Sequence, residues 1–475
     1  MFRRLTLIVS LIIFSGLVVS AQQPWTLQQC IDQALKYNIQ IKQSSLNNEL
    51  NKVQVTQNTA SMFPSINAGA SQNYYFGRSI DPYTNLFTTK QVSSNSFSLS
   101  GNLTIFEGFQ LQNSLKESKL NYLSSQNDLK KIQNDIQINV VNYYLQVLYN
   151  QDLMNNTLEQ MKTSGMQRDR MKRMYELGSV NKGNYLDLES QYASDEVRYI
   201  QSQSQFDQSM LLLTQLLELD TIKNFTIAKP EVSMPAFDSS QTQVERIYES
   251  ALITQPDVKS SEYKMRSAEK RLAAAKGSLY PRIYLNGSVS TSYSTSSKNI
   301  SYVENPPVRT ITGYTSSGDT VYSYLPNATS IITDSPFKDQ FDNNLGKTVG
   351  FTLQVPLFNG WAARSTIART RINLEQSRLN NELTKKNIFK SVQQAVADAI
   401  AANKKFTASQ RNVEALKETF NYNQQRFDLG LINTYDYLFS KNNLANAQAN
   451  QLQAKYDYIF KIKILDFYQG KPLTF

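Results

Sequence analysis

The side chains of this sequence able to do chemistry are carboxylates, hydroxyls and one thiol, because its 475 residues contain no histidine and a single cysteine, Cys30. Ser-His-Asp and Cys-His nucleophile arrangements are therefore excluded, as are nearly all zinc sites. No intramolecular disulfide can form. The phosphate-cradling, dinucleotide-binding and nucleophile-elbow glycine patterns are absent. No Asp/Glu pair clusters at a strand end or in a glycine-rich setting, the remaining route to an enzyme. The expectation is a protein with no catalytic residue, no cofactor and no metal. Cys30 sits inside an amphipathic helical pattern, which suits a small buried side chain better than a lipid-attachment site.

The chain opens on a secretory signal. Arg3 and Arg4 precede a mostly apolar run from Leu5 to Val19, and Val19-Ser20-Ala21 sets small residues at a cleavage position. No later stretch approaches the eighteen consecutive apolar residues of a spanning helix, so a membrane could be crossed only with strands. The formal charge of +10 falls to +8 without Arg3 and Arg4, leaving 47 basic against 39 acidic residues. These charges are mixed along helical segments, as on a solvated surface, and nucleic acid is not an expected partner.

The elements follow from an internal repeat. At an offset of 217, Ala34-Leu35 falls on Ala251-Leu252, and Met62-Phe63-Pro64 on Leu279-Tyr280-Pro281. At an offset of 252, Ile105-Phe106-Glu107-Gly108-Phe109 falls on Leu357-Phe358-Asn359-Gly360-Trp361. The same offset aligns Tyr175-Glu176-Leu177-Gly178 with Phe427-Asp428-Leu429-Gly430, and Tyr185-Leu186 with Tyr437-Leu438. The 35 extra residues of the second half therefore lie between Ile283 and Leu357, a loop between two strands.

Each half reads as helix, strand, loop, strand, very long helix, tight turn, long helix. Ile66, Ala68, Ala70 and Tyr74 alternate with Asn67, Gly69, Ser71 and Asn73, and Phe97, Leu99, Leu103 and Ile105 with Ser98, Ser100, Asn102 and Thr104. Ile283, Leu285 and Val289, then Val349, Phe351 and Leu353, repeat the pattern. Period-two alternation gives each strand one apolar and one polar face. Runs of about ten residues fit a tilted membrane strand, though a soluble hairpin with one face on a core has the same pattern. Trp361 to Asp428 contains neither glycine nor proline, and at 1.5 Å per residue would reach roughly 100 Å. Apolar positions three and four apart on such helices suit coiled-coil packing. The segment 295–347 reads as a long polar loop.

Four strands cannot close a barrel, and open edges are not viable in lipid. Two copies would give eight strands with a filled interior, and three would give twelve around a water-filled bore. The small polar face residues favour the wet lumen and a homotrimer. The fold class expected is mainly α with membrane β: long coiled-coil hairpins, and four strands per chain in a shared 12-stranded barrel.

In these features the chain resembles the TolC family over the whole mature sequence. The resemblance rests on Trp25-Thr26-Leu27 followed by Ala34-Leu35 and Asn38, on Pro64 and Pro281 before the first strands, on Phe106 to Gly108 and Phe358 to Gly360, and on the Leu-Gly turns at Gly178 and Gly430. It implies a passive exit duct of a tripartite efflux pump or type I secretion system. The setting would be the outer membrane of a Gram-negative-type cell, with a long periplasmic extension and lipid around the barrel. A periplasmic adaptor (membrane fusion protein) would dock on the tips Leu177-Gly178-Ser179-Val180 and Leu429-Gly430-Leu431-Ile432, and an inner-membrane transporter would supply energy. Val180, Leu431 and Ile432 are expected to be exposed there; the same residues could simply cap the hairpins. Family members often narrow the tunnel with aspartates in the second return helix. Asp436 matches the first such position, Phe439 occupies the second, and Asp187 supplies a carboxylate in the first half. Three copies of Asp436 would concentrate cations, whereas alone it would be a solvated surface aspartate. Ile432 and Asn184 stand where the family has an arginine and an aspartate that close the tunnel.

The expected layout is a signal peptide at 1–21, a first repeat at 22–219, a linker at 220–240 and a second repeat at 241–475. The first repeat would carry strands at about 64–76 and 96–106, and helices at about 109–176 and 182–218. The second would carry strands at about 281–294 and 347–358, and helices at about 361–428 and 433–468. The competing reading is a barrel-anchored coiled-coil adhesin, although such proteins usually place one anchor at the C-terminus. Phe475 resembles the terminal aromatic of many barrels, but no strand leads to it.

Overall fold

The computed structural model describes residues 24–80, 85–89, 91–219, 225–230 and 243–473. The signal segment 1–21, loop residues Asp81, Pro82 and Tyr83, all of the 220–240 linker but 225–230, and Phe475 lie outside the described residues.

The helices repeat in length as well as in order. In the first half α1 (Leu27–Tyr37) and α2 (Ile39–Ala60) have 11 and 22 residues, and α3 (Gln110–Glu176) and α4 (Lys182–Leu216) have 67 and 35. In the second half α5 (Val244–Thr254), α6 (Pro256–Gly277), α8 (Ala362–Asp428) and α9 (Thr434–Tyr468) have 11, 22, 67 and 35. Helices of 67 residues far exceed the ~11-residue average and hold only if packed along their length.

The chain divides into two compact units. The first, residues 1–53, 119–267 and 374–475, is mainly helical in its described residues and holds two related cores. In one, Cys30 and Ala34 of α1 meet Val140, Tyr144 and Leu148 of α3, Leu213 of α4 and Ile459 of α9. In the other, Ile247 and Ala251 of α5 meet Val392 and Ala399 of α8 and Leu465 of α9. Ala34 and Ala251, Val140 and Val392, and Leu213 and Leu465 are repeat mates in equivalent buried places. Each fully buried Leu or Val contributes about 1.5–3 kcal/mol of transfer free energy. Thr26 starts α1 with a capping box to Gln29. Trp25 pairs in parallel with Ile227, and Tyr144 OH donates to Ala228 O at 2.5 Å beneath them. Cys30 is a fully buried free thiol whose pKa desolvation pushes up to about 12.

The second unit, residues 54–118 and 268–373, carries an antiparallel sheet in the order β1 (Ser65–Tyr75), β2 (Val92–Glu107), β3 (Arg282–Ser294), β6 (Gly346–Gln354). Its register sorts the side chains into two faces. One holds the rungs Asn73-Ser94-Ser294, Ser71-Ser96-Ser292, Asn67-Ser100-Ser288-Thr348 and Ser65-Asn102-Asn286-Gly350. The other holds Ala70-Phe97-Thr291, Ala68-Leu99-Val289-Lys347, Ile66-Gly101-Gly287-Val349 and Leu103-Leu285-Phe351. The outer strands β1 and β6 each pair on one side only. β2 begins four residues before the sequence expectation, and β6 stops at Gln354, where Pro356 removes the next donor.

Where β2 runs into α3, Gly108 and Phe109 take φ of +59° and +61°; Gly360 and Trp361 before α8 take +60° and +64°. This paired left-handed turn is the physical content of the repeated Phe-x-Gly-aromatic motif. At Gly108 a Cβ would fall 2.2 Å from the carbonyl oxygen of Gly277, so glycine is required twice over.

The expectation of a long polar loop over 295–347 is corrected. β4 (Lys298–Tyr314) and β5 (Thr320–Asp334) form an antiparallel ribbon, followed by the short helix α7 (Phe337–Asn343). Ile300, Tyr302, Val308 and Ile311 supply strand-forming residues, but interspersed Ser, Thr and Asn dilute their pattern. Pro306 and Pro307 fall in the register shift between Asn305 and Val308, since neither can donate to a ladder. The first inter-strand loop holds a two-residue ladder, Ser79–Ile80 with Phe87–Thr88.

Candidate functional site

The two hairpin tips are built alike. Ser179 N–H donates to Met174 O at 2.8 Å, and Gly178 N–H donates to Tyr175 O at 2.9 Å, with Gly178 at φ +72°. In the second half Leu431 N–H donates to Arg426 O at 2.8 Å, and Gly430 N–H donates to Phe427 O at 3.0 Å, again at φ +72°. These are Schellman closures, in which the left-handed glycine satisfies the last carbonyls of the long helix. Asn181 and Asn433 then cap the return helices by accepting from Asn184 N–H and Asp436 N–H. Leu177 and Leu429 are 80% and 74% exposed, and Leu431 and Ser179 are exposed too. Val180 and Ile432, expected to be exposed, are instead half-buried against Met171, Leu188 and Tyr437. A turn this tight folds the second residue after each glycine back onto the cluster beneath. Arg170 of α3 reaches Asp428 of α8 at 2.5 Å and ties one hairpin to the other.

Asp436 stands exposed in the first turn of α9, where the helix dipole favours a carboxylate. Phe439 is exposed one turn on, and Tyr435 stacks on it with ring centroids 6.3 Å apart. Asp436 and Phe439 thus share one patch, while Asp187 is exposed on a separate helix, α4. From Asp436 a single stripe runs along α9: Phe439, Asn443, Asn446, Asn450, Gln453 and Asp457, spaced alternately three and four. The adjacent stripe, one residue on and about 100° round the helix, with Tyr437, Leu444, Ala447, Ala454 and Tyr458, is buried. The helix therefore packs along one stripe and leaves the one beside it open, with Asp436, Asn446, Asn450 and Gln453 exposed and Asn443 and Asp457 half-buried.

A family model described as outer membrane efflux protein matches residues 30–218 and 247–461, one segment in each repeat. The chain belongs to the outer membrane efflux protein family. It is an outer-membrane protein. It is similar to the toluene efflux pump outer membrane protein TtgC of Pseudomonas putida, 22% identical over 445 residues, 91% of this chain and 81% of that protein. To the solvent efflux pump outer membrane protein SrpC of the same species it is 24% identical over 215 residues, 44% of this chain. It thereby spans little more than a third of SrpC, 36% of its length. The outer membrane protein VceC of Vibrio cholerae has the same fold, with a TM-score of 0.74, 12% identity, and 94% of this chain aligned to 96% of that one.

Two features of this outer membrane efflux protein escape sequence reasoning. The amide stripe of α9 could have been found as Asn and Gln at helical spacing. The other has no local signal: Lys441 of α9 meets Asp195 of α4 at 2.8 Å, with side chains only 9% and 2% exposed. Ser164 of α3 donates to Asp195 and accepts from Lys441, and Gln191 donates to the other carboxylate oxygen at 2.9 Å. Gln191 and Asn442 exchange amide hydrogen bonds, and Arg198 donates to Asn442 at 3.3 Å. Three helices are locked by this network. Nearby, Tyr437 is buried against Phe427, with centroids 4.5 Å apart and its hydroxyl unpartnered among the described residues. Burial, then the Asp428 and Asp195 charges, push its phenol up to about 12.

Proposed function

We propose that three copies of this chain form a continuous channel that acts as a passive exit duct for an efflux pump. The observation that carries the reading is the sheet: one face apolar except at its loop end, where Gln72, Asn95, Thr291 and Lys347 join it, one face of Ser, Asn and Thr, and an unpaired edge on each side. Pairing β6 of one copy with β1 of the next removes every edge and yields twelve strands. The apolar face then meets lipid and the hydroxyl and amide face lines a wet bore. The amide stripe of α9 would line the helical tunnel, with Asp436 and Phe439 at its narrowest ring and Asp187 nearby. Leu177, Leu429 and Leu431 would seat a periplasmic adaptor that joins the duct to an inner-membrane transporter. Type I secretion would use the same surfaces. The tie between Arg170 and Asp428 would help hold the tips shut.

Planar-bilayer conductance of the detergent-extracted protein, with ion selectivity from the reversal potential, tests this. Discrete cation-preferring steps are expected, with the preference reduced in Asp436→Asn. Silence from folded, inserted protein would overturn the duct and leave the coiled-coil adhesin.

A further inference from the structure

The element least absorbed by a duct is α7, which has no counterpart among the described residues of the first repeat. It lies on the apolar face of the sheet, at the end of the strands that bears the loops. Thr291 of β3 donates to Phe341 O at 2.7 Å, Asn344 donates to Ser292 O at 2.8 Å, and Gln340 bonds both the N–H and the carbonyl of Ser294. Phe337 and Phe341 lean on Phe97 at centroid distances of 6.5 and 6.0 Å, and Phe337 also meets Tyr293 at 5.2 Å. The helix is therefore fixed on the sheet by both backbone and ring contacts.

Its rings are nevertheless not enclosed. Phe337 and Phe341 remain 47% and 37% exposed, and Leu345 is 42% exposed. These three recur every fourth residue and form one stripe, while Lys338, Asp339 and Asp342 are exposed polar residues of the same helix. The groove between α7 and the sheet is lined by Ala70, Leu99, Val289, Phe341 and Leu345, and farther along the same face, past Lys347, the apolar Val349 and Phe351 are exposed. An apolar patch on a lipid-facing sheet, rimmed by charges and placed at the strand ends, has the make-up of an interfacial helix with an aromatic girdle.

We propose that α7 is a membrane-interface anchor: Phe337, Phe341 and Leu345 enter the acyl boundary of the outer leaflet, while Lys338, Asp339 and Asp342 stay among the headgroups. The proposal rests on the reading that the apolar sheet face meets lipid. It assigns the insertion in the second repeat the task of setting how deep the barrel sits.

Nitroxide labels at Phe341→Cys, Phe351→Cys and Asp319→Cys, read in vesicles by collision with oxygen and with a water-soluble nickel complex, test it. The natural chain, whose Cys30 is buried, is the labelling blank. The 341 label is expected to favour oxygen over nickel severalfold more than the 319 label on the ribbon turn, yet less than the mid-strand 351 label. A label at Lys338→Cys is expected on the aqueous side of 341. If Phe341→Cys does not assemble, Leu345→Cys reports the same face. An aqueous 341 beside a lipid-exposed 351 would overturn the anchor alone. A 341 label shielded from both reagents would mean protein covers the helix, which also overturns it. An aqueous 351 would sink the barrel reading itself.

Discussion

Lys441 and Asp195 form an ion pair, 2.8 Å from nitrogen to oxygen, at a depth where little of either side chain reaches water. Each charge is tolerated because the other and the Ser164 and Gln191 hydrogen bonds replace its hydration. Removing Lys441 leaves the buried Asp195 carboxylate with only the partly exposed Arg198, 3.8 Å away, to offset it, a loss of up to about 3–5 kcal/mol. Lys441→Met should therefore lower the thermal unfolding midpoint in detergent sharply. The double variant Lys441→Met, Asp195→Leu should regain most of the loss. A double variant no better than the single would show that the pair contributes more than mutual neutralisation.

Arg170 and Asp428 present the opposite case. Their pair joins the hairpins in partly exposed surroundings, where such contacts are worth about 0–1 kcal/mol. Arg170→Ala should barely move the unfolding midpoint. If the proposed gate depends on this tie, the same variant should raise single-channel conductance twofold or more, an order-of-magnitude expectation for losing one of few closing contacts. Unchanged conductance would place the closure elsewhere.

The repeat, the long helices and the glycine-ended tips were readable because each leaves a local trace: a fixed offset, a run without Gly or Pro, a Leu-Gly before Asn. The breaks between α1 and α2 and between α5 and α6 carry weaker traces. Asn38 and Gln255-Pro256 interrupt what reads as one helix, and Asn38 accepts from Gln40 N–H to start the second segment. The ribbon over 298–334 was hidden because both its faces are exposed and no burial enforces alternation. Lys441 and Asp195 lie 246 positions apart and look like ordinary surface charges until the helices are packed.

At the tips, Leu177, Leu429 and Leu431 are exposed apolar side chains that the hairpins themselves do not need. Replacing all three by serine should leave unfolding and bilayer conductance unchanged. It should abolish cross-linking to a periplasmic adaptor in cells that express one, since central apolar anchors dominate such interfaces. Cross-linking at wild-type yield would move the docking surface away from the tips.

Glycines with similar dihedral angles should respond very differently. Gly178 and Gly430 face open space, so alanine there meets only backbone strain, about 1–2 kcal/mol. Gly108 has the same handedness, but a Cβ would strike the Gly277 carbonyl at 2.2 Å. Gly108→Ala must displace backbone where α6 passes the end of β2. It should cut the amount of assembled protein in the outer membrane severalfold, measured by heat-modifiable mobility, while Gly178→Ala assembles normally.

Cys30 supplies a pH test whose sign is fixed. Burial holds its thiol protonated until about pH 12, whereas the unfolded thiol ionises near its ordinary value of 9.0. Between those values the folded state binds the extra proton. The stabilisation is thus complete below about pH 9 and is lost as pH rises toward 12, by at most about 1.4 kcal/mol per pH unit. Cys30→Ala should flatten this part of the stability profile relative to the natural chain. The native thiol should also stay unreactive toward a disulfide reagent at pH 8 and react at once in denaturant. Rapid native labelling would mean that the first core, with Ala34, Val140 and Tyr144 around the sulfur, opens far more often than its packing implies.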